Sequence, residues 1–463
     1  MSLASQSRGA SEEASYGLRA GILSQWETLA QSLASIAPTA CAAMGIPLVI
    51  AVSGASAWLA YVLATLGMLL VAANVNVFAR DSASPGSLYG FVHEELGHWA
   101  GLLTGWSLLI AYIGTASAVT GGIVQYTHSL FSRQPPRLME SLALIVISVI
   151  AAAAFAYRDV ELSTQFMLWI EVASVAAIVI LFVIPSHTDN LVWDPSQFRL
   201  SAFRITPIGA GLVLASFSFV GFESATALGT EAVSPLRTIP RAMLGTVLLS
   251  GVFFVLSAYA EVAGFGGKLS VLASSGAPLQ MLADLKGLSW VAPIISIGAV
   301  VSFFSCTLAS ITAAARVALS MGTHGMAPKY LSRTHDRYQT PYSAVVASSV
   351  AAVTPAVMLT VLHISAFDLY GWLGTISTYG FITAYVLLVV AAPIKLLRKG
   401  KLGLQNSAIS AVALLFLIGA LVGSLNTGSS GPGRWLAPAY VTLLMLGCVY
   451  KALWHRVVDP LTS

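Results

Sequence analysis

The chain has 463 residues, 57% of them hydrophobic and 9% charged, with a mean hydropathy of +0.81. Soluble domains carry about 25% charged residues, so a soluble fold is excluded and a lipid bilayer must serve as the second solvent. The net charge of +4 is modest and scattered, with no Lys/Arg cluster interleaved with aromatics, which removes nucleic acid from the partners.

Met1 to about Arg19 is polar and Ser-rich and has no apolar run of signal-peptide type, so residues 1–20 read as a short cytoplasmic tail. The first apolar segment, about Ser24–Val52, is interrupted at Ser35-Ile36-Ala37-Pro38-Thr39-Ala40. Pro38 removes a backbone donor and crowds the preceding turn, which fits either a simple kink or a true break. Further segments follow at about Ala57–Phe78, Ala100–Tyr126, Ser141–Tyr157, Ser163–Ile184, Thr206–Glu231, Ala242–Phe265, Trp290–Leu319, Ala344–Leu362, Leu369–Leu397, Ala408–Leu425 and Trp435–Leu453. The fold class is therefore all-α integral membrane, with about twelve transmembrane helices near the ~20 residues a bilayer requires. An even number puts both termini on one side. With the N-terminus inside, 16 of the 23 Lys and Arg residues fall in cytoplasmic loops, as the positive-inside rule asks. The expected location is the inner or plasma membrane with both termini cytoplasmic.

The sixth segment contradicts itself. Ser216-Phe217-Ser218-Phe219-Val220-Gly221-Phe222-Glu223-Ser224 sets a glycine, three serines and a carboxylate where a spanning helix should be most apolar. A charge at that depth costs roughly 2.5–3.5 kcal/mol on insertion scales and usually faces a partner or a wet cavity. A polar helix contact would explain it, but Gly-Phe-Glu among small and hydroxyl residues also fits a helix that unwinds to face a ligand. Pro38 and Gly221 each sit roughly 15 residues into their segments. They would open two five-helix blocks, residues 21–190 and 191–400, of opposite membrane orientation, leaving residues 401–463 as two peripheral helices and a cytoplasmic C-terminus. Paired interruptions of this kind point to a transporter's binding site.

Three stretches carry a family resemblance. They are Phe219-Val220-Gly221-Phe222-Glu223 followed by Glu231-Ala232-Val233-Ser234-Pro235-Leu236-Arg237, Pro85-Gly86-Ser87-Leu88-Tyr89 leading to Gly101-Leu102-Leu103-Thr104-Gly105-Trp106, and Arg316 with Gly325-Met326-Ala327-Pro328 and Thr340-Pro341. Together they resemble the amino acid, polyamine and organocation (APC) transporter superfamily, which has the LeuT-type five-plus-five inverted repeat. The resemblance implies a substrate site between helices one and six, where freed amides take a carboxylate and freed carbonyls an ammonium group. The contacts would come from Ala37, Pro38, Thr39, Ala40 and Cys41, and from Phe217, Ser218, Phe219, Val220 and Gly221. Phe217 occupies the position where related exchangers place an aromatic gate; ordinary packing is the plainer explanation of an aromatic there. One departure matters: many members have a glycine-serine-glycine type break in helix one, whereas Ala37-Pro38-Thr39-Ala40 stands here. Pro38 subtracts an amide donor, which keeps amines in play beside amino acids.

Two acids sit deep in apolar segments, Glu223 and Glu171. Glu223 matches the family position proposed to protonate during transport. Burial favours the neutral form of a carboxyl group, which suits one that gains and loses a proton each cycle. Some proton-dependent relatives place a lysine on helix five; Glu171 and Ser174 stand in that region here, so sodium stays open, with Ser305 and Thr307 on helix eight as oxygen ligands. Back-bonding to their own helix is the plainer reading of those hydroxyls. His93-Glu94-Glu95-Leu96-Gly97-His98 is no zinc-protease motif, because its histidines are five apart and do not share a helix face. Cys41, Cys306 and Cys448 lack metal-ligand spacing, nothing matches GxxxxGK[ST], and neither metal nor cofactor is expected. The leading reading is a proton-coupled secondary transporter of an amino acid or amine. A non-transporting sensor would call for a longer cytoplasmic domain, and a membrane enzyme for a catalytic cluster.

Overall fold

The computed structural model describes residues 16–132, 136–158, 161–184, 194–198, 205–266, 268–427 and 431–458. The first fifteen residues of the expected tail lie outside the described residues. Helix one comes in pieces: α1 (Gln25–Ile36), α2 (Pro38–Ala40), a π-helical turn Cys41–Gly45, and α3 (Ile46–Ser53). There follow α4 (Ala57–Ala79), α5 (Leu88–Leu96), α6 (His98–Ser129), α7 (Leu138–Arg158) and α8 (Glu161–Val183). The sixth segment is α9 (Ile205–Phe217) and a 3-10 helix Phe222–Leu228, joined by a turn. The chain goes on through α10 (Pro235–Gly264), α11 (Leu269–Ser274), α12 (Pro278–Leu285), α13 (Ala292–Thr323), α14 (Tyr342–Val361), α15 (Ala366–Arg398), α16 (Leu404–Thr427) and α17 (Leu436–Val458).

Ten described stretches are long and apolar enough to cross a membrane. One of them, Gln25–Ala79, folds back at Gly54–Ser56 and so holds two of the expected segments, and α8 adds a shorter apolar stretch, Leu168–Val183. The expected all-helical membrane architecture is thus what the chain adopts. Large apolar side chains such as Leu66, Ile147, Leu249, Val350 and Leu415 are exposed on its outer wall, where lipid rather than water satisfies them.

Helix contacts join elements from the first and second halves of the chain. α4 packs on α10, α6 on α13 and α7 on α14. The pair α6 with α15 is matched by α13 with α8, and α1 with α10 by α9 with α4. α16 and α17 lean on the outside of this arrangement. Its centre is α6 against α13, both rich in Gly, Ala, Ser and Thr, and small residues let helix backbones approach closely. At Gly122 an added Cβ would lie 2.4 Å from the Phe303 ring.

Both ends of the described chain reach one face. The Tyr16 hydroxyl is hydrogen-bonded to His324 Nε2 at 3.3 Å, and Lys451 Nζ donates to the Gly325 carbonyl at 2.6 Å. Tyr89 of the amphipathic α5 bonds His324 Nδ1 at 3.0 Å, and the His93 ring stacks on His324 with centroids 5.6 Å apart. Just before α1, Gly21 and Leu23 donate to the carbonyls of Thr230 and Glu231 (3.2 and 2.8 Å), and Val233 donates back to Leu23 (2.8 Å). This strap ties the entry of helix one to the exit of helix six. Ser24 and Glu27 then close α1 with a capping box, which satisfies two of its orphan amides. On the opposite face Lys286 Nζ donates to the carbonyls of Leu181, Phe182 and Ile184 (2.9, 3.4 and 3.0 Å) and so caps the end of α8.

Candidate substrate site

Both interruptions expected from the sequence are breaks in backbone geometry. Ala37 has φ 50 and ψ 68, a left-handed conformation that is costly by roughly 1–2 kcal/mol for a residue with a side chain. Pro38 then starts α2 at its first position, where its missing N–H would have been unpaired in any case and its fixed φ is already helical. Gly221 has φ 88, and an added Cβ would stand 2.8 Å from Cβ of Ser35. Glycine is therefore needed there twice over, for its dihedral and for the contact between the two breaks.

A cavity lies between them. Helix one contributes Ser35, Ile36, Ala37, Ala40 and Cys41, helix six Phe217 and Val220, α6 Thr115 and Val119, α13 Cys306, and α15 Tyr370. It is closed down to about 10 Å³, on the order of the space one water needs. Of the ten expected contact residues, Ala37, Ala40, Cys41, Phe217 and Val220 line it. The other five do not line it. Pro38 starts α2, Thr39 points its amide away to Glu171, Ser218 Oγ bonds the Tyr61 hydroxyl (3.0 Å), Phe219 packs on Phe254, and Gly221 abuts Ser35. Phe217 meets Tyr370 edge-on at 5.6 Å, and the Phe217 ring lies 2.6 Å from where a Cβ on Gly374 would be. The aromatic wall of the cavity thus depends on a glycine in α15.

The amides of the break in helix one are all engaged. Ala37 N donates to Leu33 O (2.8 Å), Thr39 N to Glu171 Oε1 (2.7 Å), Ala40 N to Ser302 Oγ (3.2 Å) and Cys41 N to Ala37 O (3.0 Å). Glu171 is buried in α8 and sits on the N-terminal end of α2, the end of a helix that favours an anion. Glu223 is held from two other helices: Tyr112 of α6 donates to Oε1 (2.7 Å) and Tyr385 of α15 to Oε2 (2.5 Å). Both acids singled out from the sequence are therefore buried and bonded across helices.

The expectation that only two acids lie deep does not hold. Glu261 of α10 is fully buried, and neither of its carboxyl oxygens meets a donor among the described residues. It stands four residues from the end of its apolar segment, so hydropathy alone places it at the rim, whereas helix packing encloses it. Thr307 back-bonds to Phe303 O (3.0 Å), while Ser305 Oγ has no partner among the described residues. Ser302 and Cys306, on the same small-residue run, are the α13 side chains that reach helix one. Which face of such a run points inward is not written in its periodicity. Toward the face that carries the termini, Arg316 and Glu231 form a buried bidentate pair, Nε to Oε2 at 2.5 Å and Nη2 to Oε1 at 2.8 Å. Among the described residues no group of three His, Cys, Asp or Glu side chains is placed to hold a metal ion.

Comparison with known proteins gives a consistent picture. The amino acid permease family profile matches residues 27–430. The branched-chain amino acid permease BcaP of Bacillus subtilis is 23% identical over 432 residues, which covers 87% of this chain and 86% of the relative. The methylthioribose transporter of Bacillus subtilis is 26% identical over 361 residues, 73% of each chain. Cationic amino acid transporter 4 of Homo sapiens is 23% identical over 363 residues, 73% of this chain and 55% of the relative.

Proposed function

Because the chain belongs to the amino acid permease family, we propose that it carries a small amino acid-like solute across the membrane by alternating access, with the solute held between the breaks of helices one and six. The observation that supports this is the cavity of about 10 Å³, which takes part of its wall from each break. On this reading the blocks 21–190 and 191–400 are inverted repeats that move against each other, and 401–463 is peripheral. The tail 1–20 and the C-terminus face the cytoplasm.

The cavity wall offers Ile36, Val119, Phe217 and Val220 and no charged side chain. Burying an unpaired charge is expensive, so a neutral, apolar side chain is favoured over a cationic one. Coupling is assigned to protons. Glu223 bridges helix six to α6 and α15, so a change in its protonation alters the hold of two tyrosines on a helix that lines the site; Glu171 holds helix one in the same manner. Uptake of radiolabelled L-leucine into proteoliposomes tests this. Stimulation by an inward proton gradient, and loss of that stimulation in Glu223→Gln, is expected. Stimulation by sodium alone would overturn the coupling assignment.

The engaged amides support a second reading, a carboxylate-free amine as substrate, since no amide from Ala37 to Cys41 stands free for an α-carboxylate. Competition separates the two: 3-methylbutylamine blocking L-leucine uptake as well as L-leucine itself does would favour the amine.

A further inference from the structure

Where α1 stops, its last carbonyls lose their intrahelical partners. Two of them are covered by thiols: Cys306 Sγ donates to Ser35 O (3.2 Å) and Cys41 Sγ to Ile36 O (3.2 Å). Cys41 Sγ also leans on Ser218 O, at the other break, at 3.7 Å. Both cysteines line the cavity and are buried. An S–H group is a weak donor, so these three backbone oxygens are only loosely held by the contacts that cover them. The amides, in contrast, are closed by a carboxylate, a hydroxyl and backbone carbonyls. α1 and α9 both end beside the cavity, and C-terminal helix ends carry partial negative charge.

We propose that Cys41 and Cys306 are specificity-determining residues for an ammonium group, acting as exchangeable donors that the group displaces from the carbonyls of Ser35, Ile36 and Ser218. An ammonium has three donors, matching the three oxygens that the two thiols touch. A thiol yields them readily; a hydroxyl in the same place would not. This proposal rests on the reading that the solute binds between the breaks through its amino group.

The test compares serine and alanine at each position, because their effects are opposite in direction. Equilibrium binding of L-leucine and of L-arginine to purified protein is measured beside 4-methylpentanoate, which is leucine without its amino group. The unmodified protein is expected to bind an amino acid and not 4-methylpentanoate. Cys41→Ser and Cys306→Ser should each bind that amino acid about fivefold more weakly, the scale of one neutral hydrogen bond that must be broken. Cys41→Ala and Cys306→Ala should bind it as well or more tightly. Serine and alanine variants that weaken binding alike, or that leave it unchanged, would overturn the proposal while leaving the site intact. Equal binding of leucine and 4-methylpentanoate, or binding of neither amino acid by the unmodified protein, would overturn the underlying reading. Each cysteine covers a different carbonyl of α1, so one pair of folded variants suffices.

Discussion

Arg316 and Glu231 face each other through two parallel N–H···O contacts while both side chains are about 98% or more shielded from solvent. Fork-to-fork geometry of this kind is specific to Arg. The pair joins the end of α13 to the loop that follows helix six. Glu231→Gln leaves a buried guanidinium uncompensated and should destabilise the protein by about 3–5 kcal/mol, and Arg316→Lys should not restore it. Thermal unfolding in detergent checks this. A loss below about 1 kcal/mol would mean that the pair is hydrated.

The two tyrosines on Glu223 predict a shared effect. Tyr112→Phe and Tyr385→Phe each remove a donor from a buried carboxylate, and each should cost about 1.5–3 kcal/mol. The double substitution should differ from the sum, because both act on one partner. Strict additivity in denaturation experiments would show that the two hydrogen bonds are independent.

Gly374→Ala is expected to act on the solute site rather than on the fold at large. Its Cβ would meet the Phe217 ring at 2.6 Å, and the ring has only the narrow cavity to move into. Overpacking costs about 1–3 kcal/mol, which corresponds to roughly five- to 150-fold weaker binding. Phe217→Leu in the same chain should restore much of the affinity. If Phe217→Leu does nothing for Gly374→Ala, the ring is not what the methyl strikes.

Acid should loosen the face that carries the termini. Burial, and then the charge of His324 beside it, hold His93 below the ordinary histidine range. A histidine shifted downward is more easily protonated in the unfolded chain, so its contribution is complete above about pH 6.5 and is lost as pH falls through that value toward the lower folded one. The groups facing it are His98, Tyr89 and His324, with Tyr16 on the far side of His324. Protection of residues 16–23 against hydrogen exchange, corrected for the intrinsic pH dependence of amide exchange, should fall between about pH 7 and pH 5.5, and His93→Phe should flatten the change. Protection that is constant with pH in the unmodified protein would refute this.

Glu261→Met should raise the melting temperature. It replaces a buried carboxyl that meets no donor among the described residues with an apolar side chain of similar length, a gain of about 1–3 kcal/mol. A fall would show that the carboxyl is served by a bound water or ion. Slower transport in a more stable variant would mark Glu261 as a functional acid kept at the expense of stability.

How much of this was legible in the sequence depends on range. Pro38 and Gly221 announce the breaks because their own backbones dictate them, and Glu171 and Glu223 stand out because they are charges within apolar runs. Their partners do not. Tyr112 and Tyr385 lie 111 and 162 residues from Glu223, and Thr39 lies 132 from Glu171. Arg316 and Glu231 each belong to a recognisable motif, yet nothing in either stretch states that they meet. Nothing in the run distinguishes Ser302 and Cys306 from Ser305 and Thr307, since a run of small residues is apolar on every side and does not declare its inward face. Glu261 is not legible for a related reason, because a hydropathy window measures depth along a segment and not enclosure by neighbours.

The strap between Gly21–Leu23 and Thr230–Val233 constrains how the molecule opens. Three backbone hydrogen bonds fasten the lower halves of two broken helices to each other, and left-handed joints interrupt those helices at Ala37 and Gly221. On the proposed alternating-access reading, those halves swing as one lever with a paired hinge. Spin labels on them should keep their mutual distance through the cycle while both change distance to α7 and α14.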